Sequence, residues 1–166
     1  MCSRYTIEFM IYSYIGWLYE TLLTSFDAGH YVDRGFLHLP ICPIYGICAL
    51  LIVFSVGKIK RPLYIFILSA VIATAGELAA SYLLEGVLGF RLWDYSEWLL
   101  NYQGRISLIS SLIFGIMSTA AILYIRPLFQ KLLLKYPMQT KAAAFTLSAL
   151  ASADTIICLY PLVPSL

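Results

Sequence analysis

The stretch DRGFLHLPICPIYG, residues 33–46, lies between two long apolar segments and carries more chemistry than a simple connector needs. It contains an acid, an arginine, a histidine, two glycines and two prolines. A second polar stretch, residues 91–105, lies between a later pair of apolar segments. We predict that the two stretches meet on one face of a small membrane protein and form its functional site.

The composition indicates that most of the chain lies in lipid. Of its 166 residues, 61% are hydrophobic and only 12% are charged, and the mean hydropathy is +0.82. A soluble domain carries roughly 25% charged residues. The length fits one integral-membrane domain over residues 1–166. The basic residues form no dense patch, which argues against nucleic acid as a partner.

Five apolar segments predict an all-α, polytopic membrane helix bundle with about five transmembrane helices. Each is close to the ~20 residues that a helix needs to cross a bilayer, and backbone groups in lipid must be satisfied within the segment. The last segment contains Asp154, so a peripheral helix is the alternative there. The predicted helices cover residues 6–25, 41–57, 63–84, 106–125 and 142–160.

Lysine and arginine in the connections predict the orientation. With the N-terminus in the cytoplasm, eight of the eleven basic residues fall on the cytoplasmic side. Only Arg34, Arg91 and Arg105 fall on the other side. Because short cytoplasmic connections carry an excess of Lys and Arg, both polar stretches are predicted to be extracytoplasmic.

Two acids lie inside predicted spanning helices. Glu20 is expected ~7 Å below the outer surface and Glu77 ~10 Å below it, from the rise of about 1.5 Å per helical residue. An ionised carboxylate at such a depth needs a partner or a water-filled cavity. Arg34 and Arg105 lie on the same side, where the N-termini of the second and fourth helices also favour an anion.

These features predict a site for a small polar or anionic ligand. The predicted ligand-binding residues are Glu20, Arg34, Glu77, Asp94 and Arg105, supported by Gly35, Tyr45, Trp93 and Tyr95. The structural alternative is an ion-pair network that only locks the bundle. For Trp93 the common alternative is an aromatic residue of the membrane interface.

Several side chains receive ordinary interpretations, and no catalytic residue, metal site or cofactor is predicted. His38 is expected to be a polar loop residue and Asp154 a surface or helix-end residue. The four cysteines are expected to be small buried side chains. The sequence has no G-x-x-x-x-G-K-[ST] motif, which excludes P-loop nucleotide hydrolysis, and no H-E-x-x-H or G-x-S-x-G motif.

Several motifs resemble the bacterial putative ABC-transporter type IV family, also called the CmpB-like putative ABC transporter permeases. The resemblance covers roughly residues 5–130. The motifs are Gly16-Trp17-x-x-Glu20, Asp33-Arg34-Gly35-Phe36-Leu37, Pro40, Pro43-Ile44-Tyr45-Gly46, Trp93-Asp94-Tyr95-Ser96 and Gly104-Arg105-Ile106.

The resemblance implies a small multi-pass protein of the inner, cytoplasmic membrane with a role as a permease. With five helices, such a permease is expected to act as a homo-oligomer or beside a second membrane subunit, with a separate ATPase. Two other hypotheses stay open. One is an intramembrane enzyme acting on a lipid headgroup, with Glu20, Glu77 or Asp94 as acid or base. The other is a structural membrane subunit. An enzyme is the less favoured of these interpretations.

Overall fold

The computed structural model describes residues 2–161, which are helical apart from their connecting loops. A five-residue π-helical segment, Ala121–Ile125, joins the fourth helix to the fifth. No strand occurs in residues 2–161, which confirms the all-α class. The helices are α1 (Cys2–Ala28), α2 (Pro43–Val56), α3 (Pro62–Leu88), α4 (Leu108–Ala120), α5 (Arg126–Lys135) and α6 (Pro137–Leu159).

Three helices in residues 2–161 are long and apolar enough to cross a membrane. They are α3, the continuous helical segment Leu108–Lys135 and α6. The apolar α2 has 14 residues, or about 21 Å of helix, less than the ~30 Å of a hydrocarbon core. α1 is long enough, but its tyrosines and acids make it more polar. The chain is a membrane protein by these features, and five crossings stay a prediction.

Prolines explain where the fourth and fifth predicted helices differ from the structure. The fourth was predicted to end at residue 125, but it continues to Lys135 through the π-helical segment. That segment ends two residues before Pro127, whose ring and missing N–H disrupt the α-helical pattern of the preceding turn. Pro137 begins α6, and Tyr136 before it has a non-helical backbone (φ −123°, ψ 67°), as expected of a residue preceding proline.

The helices group into two compact units, and each is described by itself. Among the described residues, the first unit contains residues 2–47 and 130–161, and the second contains residues 48–129. In the first unit α1 packs against α6, and in the second α3 packs against α4.

Small residues allow close approach inside each unit. In the second unit, a Cβ at Gly115 would press on the ring of Phe66, and the Thr74 and Ser111 hydroxyls lie 2.6 Å apart. Small residues of this kind let helix backbones approach closely in membranes. In the first unit, a Cβ at Gly16 would overlap the ring of Tyr45. This contact holds the start of α2 against α1, beside Glu20.

Candidate functional site

The connection after α1 folds back onto that helix and is held there by Asp33. The Asp33 carboxylate accepts a hydrogen bond from Trp17 Nε1 (2.8 Å) and another from the backbone N–H of Gly35 (3.1 Å). The backbone N–H of Arg34 donates to Thr21 Oγ1 (3.4 Å). These bonds fix the backbone at Arg34 and at Gly35. The Arg34 side chain therefore starts from a backbone position next to α1.

Glu20, Arg34 and Tyr45 meet in the first unit. Tyr45 Oη donates to Glu20 Oε1 (2.5 Å), and Arg34 Nε lies 3.6 Å from Glu20 Oε2. The Arg34 and Glu20 side chains are 31% and 20% exposed. The carboxylate is therefore fixed by the phenol, while the distance from its Oε2 to Arg34 Nε is longer than a hydrogen bond.

Cys42 lies beside this group and is a structural thiol. Burial raises the pKa of the Cys42 thiol to about 12, and the negative charge of Glu20 adds to the increase. The backbone N–H of Cys42 donates to Ser13 O (2.9 Å), which ties the loop to α1. A thiol with this pKa is protonated at neutral pH, and a protonated thiol is a weak nucleophile and a weak metal ligand.

In the second unit, the connection between α3 and α4 is closed by its own hydrogen bonds. Trp93 Nε1 donates to the carbonyl oxygen of Arg105 (2.9 Å), and Arg91 Nη1 donates to the carbonyl oxygen of Gln103 (3.0 Å). The backbone N–H of Tyr95 donates to Gly104 O (2.7 Å). The two ends of the polar stretch therefore lie side by side.

Asp94 organises the turn inside this loop. Its carboxylate accepts hydrogen bonds from the backbone N–H (2.9 Å) and the hydroxyl (2.5 Å) of Ser96. These two bonds lower the pKa of Asp94, and the nearby Arg91 lowers it further. Gly104 has φ +69°, and a Cβ there would overlap the Asp94 carboxylate. Asp94 is therefore ionised at neutral pH and packed against a position that requires glycine.

Arg105 is enclosed by side chains of α3. Its side chain is 7% exposed, Nη1 donates to Ser81 Oγ (2.8 Å), and Nη2 forms an ion pair with Glu85. The guanidinium carbon lies 3.9 Å from the centre of the Tyr82 ring, a cation–π arrangement. Glu85 also pairs with Arg91, whose Nε lies 3.3 Å away. The carboxylate therefore bridges two arginines.

Glu77 lies deeper in the same unit and is buried. It accepts hydrogen bonds from Tyr95 Oη (2.8 Å) and from Ser110 Oγ (3.3 Å). Ser110 belongs to the N-terminal cap of α4, where it exchanges hydrogen bonds with Ser107. One tyrosine of the loop and the start of α4 are therefore both attached to this acid.

The structure places the predicted site residues in two groups, one in each unit. The prediction that the two polar stretches form one site stays a prediction. Sequence reasoning missed Glu85 as the carboxylate that pairs with Arg105. A signal was available, because Glu85 follows Ser81 by four residues and Glu77 by eight, which puts all three on one side of α3. The first group is Glu20, Arg34, Gly35 and Tyr45, and the second is Glu77, Trp93, Asp94, Tyr95 and Arg105.

Three side chains with ordinary predicted roles converge in the first unit. His38 Nδ1 lies 2.8 Å from Asp154 Oδ1 and 3.2 Å from Cys158 Sγ. Asp154 was expected to be a surface or helix-end residue. The surface alternative is wrong, because its side chain is 10% exposed and accepts a hydrogen bond from the loop, whereas its place near the C-terminal end of α6 agrees with the helix-end alternative. The four-residue spacing of Asp154 and Cys158 was visible along the sequence, but the third side chain was not, since 116 residues separate His38 from Asp154.

Comparison with known proteins gives one match. The family model described as putative ABC-transporter type IV matches residues 7–159, and so covers both units and every site residue named above. Curated proteins and solved structures give no match.

Proposed function

Because the chain belongs to the putative ABC-transporter type IV family, we propose that it is a permease-type subunit with a site for a small anionic ligand. The site faces the extracytoplasmic side of the cell membrane. The apolar helices and the family support a transport-related membrane protein. The ligand site is argued from the two arginine groups, one step at a time.

The observation that carries the proposal is the loose pair between Arg34 and Glu20. Its N–O distance is 3.6 Å and both side chains are partly exposed. Ion pairs that solvent screens contribute about 0–1 kcal/mol, and this pair is partly exposed and longer than a hydrogen bond. An arginine bound to a carboxylate or phosphate through two parallel hydrogen bonds gains more. An incoming anion can therefore displace Glu20 at low cost, while Tyr45 keeps the released carboxylate in place.

The sequence also predicted Arg105 as a ligand contact, and a structural role is the competing candidate for this residue. Its Nε is buried and has no hydrogen-bond partner among residues 2–161, so one donor remains for water or ligand. Its other groups are held by Ser81, Glu85 and Tyr82. This enclosure favours the structural candidate for Arg105, in which the side chain fixes the loop above α3.

Contacts in the first unit agree with the predicted grouping of helix ends, and the distribution of Lys and Arg gives the proposed orientation. Leu39 and His38, in the loop proposed to be extracytoplasmic, contact Asp154 near the C-terminal end of α6. Gln130 Nε2 in α5 donates to Glu8 Oε1 near the N-terminal end of α1 (3.1 Å). An N-terminus in the cytoplasm would put the first contact outside and the second one inside, in agreement with the distribution of Lys and Arg.

The family also implies a separate ATPase as partner, which a permease-type subunit would need for energy. The test is purification of the untruncated protein from native membrane, followed by mass spectrometry. An ATPase that co-purifies in a fixed ratio to this chain supports the permease role. Turnover of a lipid by the purified chain alone supports the alternative, an intramembrane enzyme acting on a lipid headgroup.

Ligand-induced stabilisation tests the anion site. A ligand at 100 times its Kd stabilises the folded state by about 2.7 kcal/mol. With inorganic phosphate or acetate as probe, the wild type in detergent should unfold at a higher temperature, and Arg34→Gln should lose this response. Arg4→Gln, in the first turn of α1, is the control and should keep it. A response in Arg34→Gln equal to that of the wild type contradicts the proposal.

A further inference from the structure

The cluster of His38, Asp154 and Cys158 is independent of both arginine groups. We propose that these three side chains bind a thiophilic divalent cation, with Zn²⁺ as the best fit, at the outer end of the first unit. This site goes beyond the proposed permease function, which requires no metal.

The geometry of the donor atoms is the first argument. The distances are 2.8 Å from Nδ1 to Oδ1, 3.2 Å from Nδ1 to Sγ and 3.9 Å from Sγ to Oδ1. A tetrahedral Zn²⁺ with N and O ligands at about 2.1 Å and S at about 2.3 Å separates its ligands by about 3.4–3.6 Å. Shifts of well under 1 Å therefore bring all three atoms onto one ion.

The same geometry argues against a Cys–His–Asp catalytic triad. In a triad the acid holds one ring nitrogen and the nucleophile gives its proton to the other. Here the carboxylate and the thiol both approach Nδ1 of His38. Three donors that face one point suit a metal ion, and they do not form a proton relay.

The support around the acid is the second argument. Asp154 Oδ2 accepts a hydrogen bond from the backbone N–H of Leu39 (2.8 Å), while Oδ1 faces His38 and Cys158. One oxygen is thus fixed by the backbone and the other is directed at the cluster, an arrangement that orients ligating carboxylates in metal sites. Cys158 lies one helical turn after Asp154, on the same face of α6.

The donor types select the class of metal. A thiolate and an imidazole favour Zn²⁺ and related transition metals over Mg²⁺ and Ca²⁺, which prefer oxygen ligands. Binding replaces the thiol proton, which leaves to solvent, with a sulfur–metal bond. The two negative ligands then balance the 2+ charge, so the complex is neutral and costs less at a membrane boundary than any of its ions alone.

Solvent access suggests an open fourth position. The His38 side chain is 74% exposed, and Cys158 is neither fully buried nor fully exposed. Three protein ligands with a water in the fourth position are typical of zinc sites that exchange a ligand. A structural zinc would instead be enclosed by four side chains.

Zinc binding by the whole chain tests the proposal. The protein is purified in detergent with a tag that lacks histidine, stripped with chelator and titrated with Zn²⁺ against a chromophoric competitor. We expect one Zn²⁺ per chain. His38→Ala and Cys158→Ser should each weaken binding by about 100-fold or more, since even partners outside the first shell cost 10–100-fold. His30→Ala and Cys2→Ser are the matched controls and should bind as the wild type does.

Cobalt provides a readout that does not depend on any variant folding. Co²⁺ in the wild-type site should show the charge-transfer absorption of a thiolate–cobalt bond, and Cys2→Ser should keep it. A wild type with no such absorption, or with less than about a tenth of a Zn²⁺ per chain, overturns the proposal, as does unchanged binding in His38→Ala and Cys158→Ser. None of these results bears on the anion response of Arg34, so the two proposals fail separately.

Discussion

Arg34 in the first unit and Arg105 in the second use the same residue types in different ways. Each arginine faces a glutamate, and each group contains a tyrosine. Arg34 comes from a loop, is 31% exposed and lies 3.6 Å from its acid. Arg105 is 7% exposed, and Ser81, Tyr82 and Glu85, all on α3, surround it. Burial, more than residue identity, separates the pair that we propose exchanges partners from the one that we propose holds the loop on α3.

The energetics follow from this difference. An exposed ion pair contributes about 0–1 kcal/mol because water and salt screen it. A buried arginine has lost its water, so its hydrogen bonds and its contact with the Tyr82 ring must replace that hydration. Removing Arg34 should therefore change binding, and removing Arg105 should change stability. The predictions below test this contrast, beginning with the largest expected effect.

The largest expected effect is a difference in thiol-labelling rate between Cys42, which lies next to the Arg34 group, and a cysteine in open solvent. Burial raises the pKa of Cys42 to about 12 from an ordinary 9.0, so its thiolate is about 1000-fold scarcer at pH 8. Maleimide should therefore label Cys42 at least that much more slowly than the exposed Cys2, as measured by mass spectrometry of each peptide. Equal rates would mean that the Cys42 thiol is not buried beside Glu20.

Loss of Arg105 should give the largest change in stability. Arg105→Gln removes hydrogen bonds from a charged group, each worth about 1.5–3 kcal/mol, and detaches the loop from α3. We expect unfolding in detergent and denaturant to become easier by about 2–4 kcal/mol. Arg91→Gln, at 37% side-chain exposure, is the matched control with a smaller effect. The structural role of Arg105 is refuted if both variants are as stable as the wild type.

Gly16 tests how the tyrosine of the first group is positioned. A Cβ at Gly16 overlaps the Tyr45 ring, so Gly16→Ala should destabilise the protein by about 1–3 kcal/mol and weaken the anion response of Arg34. A Cβ added at Gly86 in α3 would meet no other atom within 4 Å. Gly86→Ala should therefore stabilise the helix by about 0.5–1 kcal/mol. Identical effects of the two changes would count against the contact.

Tyr45→Phe should have only a small effect on stability. It removes one hydrogen bond to Glu20, worth about 0.5–1.5 kcal/mol. The released carboxylate can then pair more closely with Arg34, so the affinity for phosphate should fall. The measurement is the phosphate-induced change in unfolding temperature, compared with that of Tyr31→Phe, whose side chain is exposed. An affinity equal to that of the wild type would mean that the phenol does not hold Glu20.

The sequence predicted the helical class and parts of both groups because those signals are local. Apolar runs of membrane length, and Glu20 near the end of α1 before Arg34, can be recognised along the chain. The number of crossings was harder, because α2 has only 14 residues and α1 combines length with polarity. Their bounds alone do not decide whether they span.

The partners of Arg105 and Asp154 could not be assigned in the same way. Both Glu77 and Glu85 lie on the side of α3 that Arg105 can reach, and the closed loop decides which one it pairs with. Asp154 meets His38 only after α6 packs against α1, across 116 residues of sequence. Contacts of that kind depend on tertiary packing, and residue spacing along the chain does not predict them.

The most direct test of the account is to measure stability and phosphate response together in Arg34→Gln and Arg105→Gln. The account predicts that Arg34→Gln unfolds within about 1 kcal/mol of the wild type and no longer responds to phosphate. Arg105→Gln should lose stability, while its folded fraction still responds. The reverse pattern, with a stable Arg105→Gln that ignores phosphate and an Arg34→Gln that responds as the wild type does, would contradict it.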